Sequence, residues 1–317
     1  MLLPCGKMYD MMKKQNFGIE IELTGITRKQ AAQVIADYFG TEPGYAGTYY
    51  NTYTATDRQG RIWKAMSDGS IRTERKAGKE RMAAGREYSC EVVSPILQYE
   101  DIEDLQNVVR ALRAAGAIAN DSCGIHVHVD GKHHTPESLT RLMNFAIGRQ
   151  DLFYEALEIG DRADHWCRKM NPALLKAMKN DTEKSKSSME RIWYSQANDG
   201  YCGGINHGHY NASRYRGINL HAFFTKGTVE FRLFNGTTHA GKIKAYIQFC
   251  LAMSAWAIEC PNSRLYFKGC ASYSASQKEK LMTRVLAGRL GLSGPEFKSC
   301  RLHLTAVFRA KAAAEAA

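Results

Sequence analysis

Phe17-Gly18-Ile19-Glu20-Ile21-Glu22-Leu23 alternates strictly. Phe17, Ile19, Ile21 and Leu23 fall on one side, Glu20 and Glu22 on the other, which is the period of a strand with one apolar face. The same period recurs downstream. Ile125-His126-Val127-His128-Val129-Asp130 places two histidines and an aspartate opposite three β-branched residues. Thr228-Val229-Glu230-Phe231-Arg232-Leu233 places Glu230 and Arg232 opposite Val229, Phe231 and Leu233. Arg86–Ser94, containing Cys90-Glu91-Val92, and Ile218–Ala222 read as two further strands. Between these runs the spacing is helical. One helix follows the N-cap Thr27 and stops at Gly40, and a second begins at Asp101 and ends at Gly116. A third is capped by Thr135 with Pro136 at its first position and runs towards Leu157, and a fourth spans roughly His239 to Ile258. Ser276-Gln277-Lys278-Glu279 reads as a capping box opening a helical C-terminus with a break near Gly291–Pro295. Strands interspersed with helices, polar on one sheet face, predict an α+β fold with an antiparallel sheet and helices on its outer face.

The polar face is unusual in composition. A solvated strand face carries Thr, Lys, Ser and Gln, whereas this one carries acids and histidines two residues apart in three strands. Any one pair has an ordinary explanation: E-x-E a solvated edge, H-x-H two structural histidines, E-x-R a cross-strand ion pair. Together they point elsewhere. Two carboxylates about 5 Å apart repel by roughly 3 kcal/mol at an effective dielectric of about 20. Convergence of Glu20, Glu22, Glu91 and Glu230 therefore calls for protons or cations. Oxygen donors suit Mg²⁺ or Mn²⁺, and an imidazole among them is compatible with Mn²⁺. Arg232 beside such cations is equipped to stabilise an anion, as phosphoryl transfer requires.

Bulk properties narrow the class. The 317 residues carry 43 Lys+Arg against 32 Asp+Glu, and 44% hydrophobic with 24% charged residues is globular usage that excludes disorder and fibrous repeats. The apolar run 249–258 is far short of the roughly 20 residues of a membrane span. The N-terminus does not read as a signal peptide, and nine scattered cysteines without a C-x-x-C pair read as reduced thiols. A cytoplasmic protein is expected. Ten Lys/Arg against three Glu after residue 260, and six Lys/Arg between Arg72 and Arg86, concentrate the positive charge. Solvated surface is the ordinary reading of such stretches, and attraction of nucleotides or nucleic acid is the other.

Phe-Gly-Ile-Glu-Ile-Glu (17–22), Cys-Gly-Ile-His-Val-His-Val (123–129), Arg-Tyr-Arg-Gly-Ile-Asn-Leu (214–220) and Thr-Val-Glu-Phe-Arg-Leu-Phe (228–234) occur in an order that resembles the amidoligase family. This is a branch of the carboxylate–amine ligase superfamily that includes glutamine synthetase and glutamate–cysteine ligase. The resemblance implies a glutamine synthetase-like catalytic domain over residues 16–258, its antiparallel sheet forming a funnel, followed by a basic, mainly helical extension over 259–317. It also implies ATP, two or more Mg²⁺ or Mn²⁺ ions, and amide formation between a carboxylate and an amine through an acyl phosphate. Carried over by position, Glu20, Glu22, Glu91, His128 and Glu230 would hold metal. His126, His128, Asn219, Tyr215 and Arg232 would meet the nucleotide, and Arg232 and Arg214 would serve the reaction. Arg214 and Asn219 differ in strand parity, so a bend between them is expected. Asp68-Gly69-Ser70 resembles a turn before the second acidic strand, and the basic stretch 72–86 is either a disordered insertion or a lid that grips phosphate or an anionic substrate.

Two other functions fit parts of the sequence: a metallohydrolase built on the same acids and histidines, and a non-catalytic basic protein binding nucleic acid through its C-terminal helices. A zinc site at Cys202, His207 and His209 lacks an evident fourth ligand, so a glycine-rich loop near the substrate is preferred there. His133 and His134 read as a surface turn.

Overall fold

Alternation puts one row of side chains out of water, and in the computed structural model, which describes residues 5–196, 204–260 and 269–317, those rows are the core. The chain forms two compact units, each assembled from separated segments. One comprises Asn16–Val127 and Phe234–Ile247; the other comprises Met1–Gln15, His128–Leu233 and Gln248–Ala317.

In the first unit β1 (Phe17–Leu23), β2 (Gly44–Tyr45), β3 (Tyr53–Thr56), β4 (Ile62–Met66) and β7 (Cys90–Val93) take the order β2-β3-β4-β7-β1. The first four residues of β8 (Gly124–Asp130) follow β1. The β1–β7, β3–β4 and β4–β7 pairings are antiparallel. Ile19, Ile21, Leu23, Val92, Ala65 and Trp63 are almost fully buried. The helix Arg28–Phe39 packs on β3, β4 and β7, and against the helix Ile102–Ala114. Each such aliphatic side chain removed from water stabilises by about 1.5–3 kcal/mol. Thr27 and Gln30 form the reciprocal cap that opens the first of these helices, and Gly40 closes it at φ 71°. After β1 the chain turns at Gly25, where φ is 87° and a Cβ would lie 2.5 Å from the Gly116 carbonyl oxygen. Only glycine fits there.

The basic stretch 72–86 is neither a structureless loop nor an unpaired insertion. It folds as the antiparallel hairpin β5 (Glu74–Ala77) and β6 (Glu80–Ala83). Its base is tied to the end of β1: Thr24 Oγ1 and the Gly25 N–H both donate to the Glu74 carbonyl. Sequence reading also missed β2, β3 and β4, because their short runs mix Tyr, Thr, Trp and Lys without clean alternation.

The second unit is mainly helical around β9 (Ile218–Asn219) and β10 (Thr228–Asn235), which pair antiparallel with Asn219 opposite Glu230. The helix predicted from Thr135 to Leu157 is two helices, Pro136–Ile147 and Gln150–Ala156. Gly148 and Arg149 interrupt it, with Arg149 at φ −125° and its guanidinium returning to the Phe145 carbonyl. The predicted strand 218–222 stops at Asn219, whose Oδ1 accepts the His221 N–H and starts the helix His221–Lys226. At the C-terminus the cap is Ser274, not Ser276, because Gln277 stands three residues after it and completes the reciprocal pair. His134 is no surface turn: its ring nitrogens bond Ser138 Oγ and Ser254 Oγ, and Ser254 also bonds Gln15. The helix Ala240–Glu259 is apolar on most sides because it is buried. Among the described residues no helix is long and apolar enough to cross a membrane.

Candidate active site

β1 and β7 pair in a register that sets Glu22 directly across from Glu91, and Met66 of β4 lies across from Glu91 on its other side. Directly opposed like charges destabilise a sheet. Here both acids are also buried, with Glu22 only 4% exposed. The Gly124 N–H donates to Glu22 Oε2 at 2.6 Å. His126, two residues further along β8, sets Nδ1 3.0 Å from Glu20 Oε2 and Nε2 3.7 Å from Glu22 Oε1. Asp68 closes the group from the turn after β4. Its Oδ1 accepts from the Ser70 N–H and hydroxyl, while its own N–H donates to Ser89 Oγ. Two sets of donor atoms result, Glu20–Glu91–His126 and Glu22–Asp68–Glu91, each with all its atoms within 4.8 Å of one another. Glu91 belongs to both.

Sequence reading found Glu20, Glu22, Glu91 and His126, and the structure brings these four together. It missed Asp68 as a donor and took it only for a turn residue. The signal was present: an Asp-Gly-Ser turn two strands before the acid it faces.

In the second unit Glu230 is the organising group. Asn219 Nδ2 donates to its Oε2 at 2.5 Å, and Arg232 Nη1 donates to its Oε1 at 2.6 Å. His128 Nε2 stands 3.9 Å from the same Oε1, its Nδ1 held by Thr228 Oγ1. All four side chains are buried. Arg232 Nε donates to the Trp166 carbonyl, and its guanidinium lies 5.8 Å from the centre of the Tyr215 ring, which in turn meets Trp166 edge-on. The 3₁₀ turn Ala212–Arg214 ends at Arg214, and the chain leaves it through Tyr215, at φ −83° and ψ 49°, before entering β9. Arg214 donates to the His209 carbonyl at 2.7 Å. His221 is buried with Nδ1 2.7 Å from the Tyr194 hydroxyl, and burial lowers its pKa to about 4, so it is neutral at neutral pH. Cys202 lies outside the described residues. His207 bonds Glu190 at 2.6 Å, and among the described residues neither His207 nor His209 joins a group with metal-binding geometry.

By fold and composition this is an α+β protein whose antiparallel strands bury carboxylates and imidazoles on their polar side. Residues 13–254 match the family described as "Putative amidoligase enzyme", which is most of the chain, and the protein belongs to that family. No curated protein matches it. Among solved structures, a bifunctional glutathione synthetase from Pasteurella multocida is similar at 14% identity with a TM-score of 0.40. The likeness covers 98% of this chain and 50% of that one, so this chain spans half the length of that protein, and it is too slight to bear on activity.

Proposed function

We propose that the protein is an ATP-dependent carboxylate–amine ligase. The γ-phosphoryl group of ATP passes to a carboxylate oxygen, and an amine then attacks the acyl phosphate, leaving an amide, ADP and phosphate. Family membership supports the ligase class. The observation that carries the finer reading is the pairing of Glu22 with Glu91 across two strands, inside a group completed by Glu20, Asp68 and His126. Opposed buried acids persist where something positive is bound between them.

The donor set fits a hard divalent cation, being mainly carboxylate oxygen with one imidazole, as Mg²⁺ or Mn²⁺ prefers. In the first unit Glu20, Glu22, Asp68 and Glu91 would hold such an ion, and in the second His128 and Glu230 offer ligands for another. When bound, the ion neutralises phosphate charge. Arg232, pre-oriented by Glu230 and the Trp166 carbonyl, offers the rigid planar fork that steadies charge on a phosphoryl oxygen. His126, Asn219 and Tyr215 contribute nucleotide contacts in this reading, and Arg214 meets an acid. A catalytic region over 16–258 with a basic extension behind it belongs to the same proposal.

The test is product analysis. Purified protein with ATP, Mn²⁺ and a panel of carboxylates and amines should release ADP and phosphate only when both partners are present, with an amide detected by mass. Substrate cleavage without nucleotide would instead identify a metallohydrolase. A nucleic-acid role draws less support. Lys278 and Lys311 are both occupied by Glu155, and Arg301 binds the Leu292 and Gly294 carbonyls.

A further inference from the structure

Beside Glu230 lies a cavity of about 140 Å³, entirely within the second unit. Its floor is polar and buried, made by Asn219, His221 and Glu230, and its mouth carries Arg214, Lys226 and His209. The charge balance is positive. Glu230 already has Arg232 at 2.6 Å, whereas among the described residues Arg214 donates only to His209 and Lys226 engages no carboxylate. An ammonium group entering here would meet two like charges. An oxygen acid meets no such repulsion, and the arginine fork together with a lysine is the usual means of gripping one.

We infer that this cavity binds a carboxylate or phosphate group of the substrate that is not itself consumed, so that the ligase selects an anionic substrate. The inference rests on the ligase reading for the word substrate, but anion capture at Arg214 and Lys226 is testable without turnover. Arg214 turns inward because the 3₁₀ turn Ala212–Arg214 ends at it, fixed by the Asn211 side chain accepting the Ser213 N–H at 2.9 Å. Lys226 closes the short helix His221–Lys226 just before Gly227. Two cations from separate segments thereby face one opening.

The experiment uses the full-length protein with histidine ring C–H resonances followed by NMR. The probes, in separate titrations, are inorganic phosphate, glutarate, acetate and a non-hydrolysable ATP analogue with Mg²⁺. Phosphate and glutarate should shift His209 and His221 saturably while leaving His134 in place. Lys226→Gln and Arg214→Gln should each weaken this binding about tenfold or more, as loss of a charge-assisted contact implies. Lys226 is exposed, so its variant folds whether or not Arg214→Gln does. Nucleotide affinity should change less than twofold. Equal shifts at all histidines, or affinity untouched in Lys226→Gln, would overturn the assignment. So would an equal loss of nucleotide binding, which would make the cavity a site for the phosphates of ATP. Failure of the ligation assay with anion capture intact would remove the ligase reading alone.

Discussion

Glu22 and Glu91 face each other because a two-residue period and an antiparallel register leave them no alternative. Removing one charge relieves repulsion in the metal-free protein and removes a ligand from the metal-bound one. Glu22→Gln is therefore expected to melt at the same temperature or higher without metal, a gain of up to about 1 kcal/mol, while losing most of the stabilisation that Mn²⁺ confers on the parent. Calorimetry with and without Mn²⁺ reads both, and a full Mn²⁺ effect in the variant would exclude Glu22 as a ligand. Glu20→Gln should lose metal-dependent turnover in the same way. Arg232 and Glu230 are a buried pair, so Arg232→Gln is expected to cost about 3–5 kcal/mol by stranding a carboxylate charge. Arg232→Lys keeps the charge and loses the fork. It should retain more of the fold yet turn over at least about tenfold more slowly, and parent-like turnover in that variant would take Arg232 out of the chemistry.

Elements are joined by a few polar ties whose protonation states differ between folded and unfolded chains. Arg61, in the turn between β3 and β4, grips Asp101 with both Nη atoms at 2.8 and 2.9 Å, and Asp57 through Nε at 2.7 Å. The Arg61 hydrogen bonds hold the Asp101 pKa below its usual value. The stabilisation is thus complete above the unfolded carboxylate pKa of about 3.9 and fades as pH falls through the lower folded value. Acid titration of stability should show this loss in the parent and much less of it in Arg61→Gln. His134 acts in the same direction but at higher pH. Burial lowers its pKa to about 4, so between about pH 6.5 and 4 the unfolded chain takes up a proton that the folded one refuses. Stability should fall by about 3 kcal/mol across that window, and His134→Gln should flatten the slope. An unchanged slope would show that other groups govern it.

Across the molecule, positive charge is employed differently in different places. The hairpin β5–β6 keeps Arg75, Lys76, Lys79 and Arg81 exposed, whereas several C-terminal cations are consumed in holding helices. Lys278 on the helix Ala275–Thr283 and Lys311 on the helix Ala306–Ala316 both reach Glu155, at 2.7 and 3.1 Å. Partly exposed pairs of this kind contribute little each, up to about 1 kcal/mol. Glu155→Gln should therefore speed hydrogen exchange in those two helices several-fold while leaving exchange in β1 and β7 unchanged, as mass spectrometry of proteolytic fragments would read.

Local rules were enough to find β1, β8 and β10 and the caps at Thr27 and Thr135, because alternation and capping involve residues a few positions apart. They also assigned Glu20, Glu22, Glu91 and His126 to the polar faces of their strands, since the face a residue occupies follows from parity alone. Which of these acids stand opposite one another was not legible, because register between Glu22 and Glu91 depends on segments about seventy residues apart. Nor was Asp68, which joins them only when the turn after β4 folds back, nor the burial of His134, which requires Ser254 from a distant helix. The basic stretches misled for the same reason: a run of lysines and arginines shows charge but not the carboxylates it will meet. Periodicity is a property of neighbours along the chain, whereas charge compensation is a property of neighbours in space, and only the folded chain brings Glu155 to Lys311 or Asp68 to Glu91.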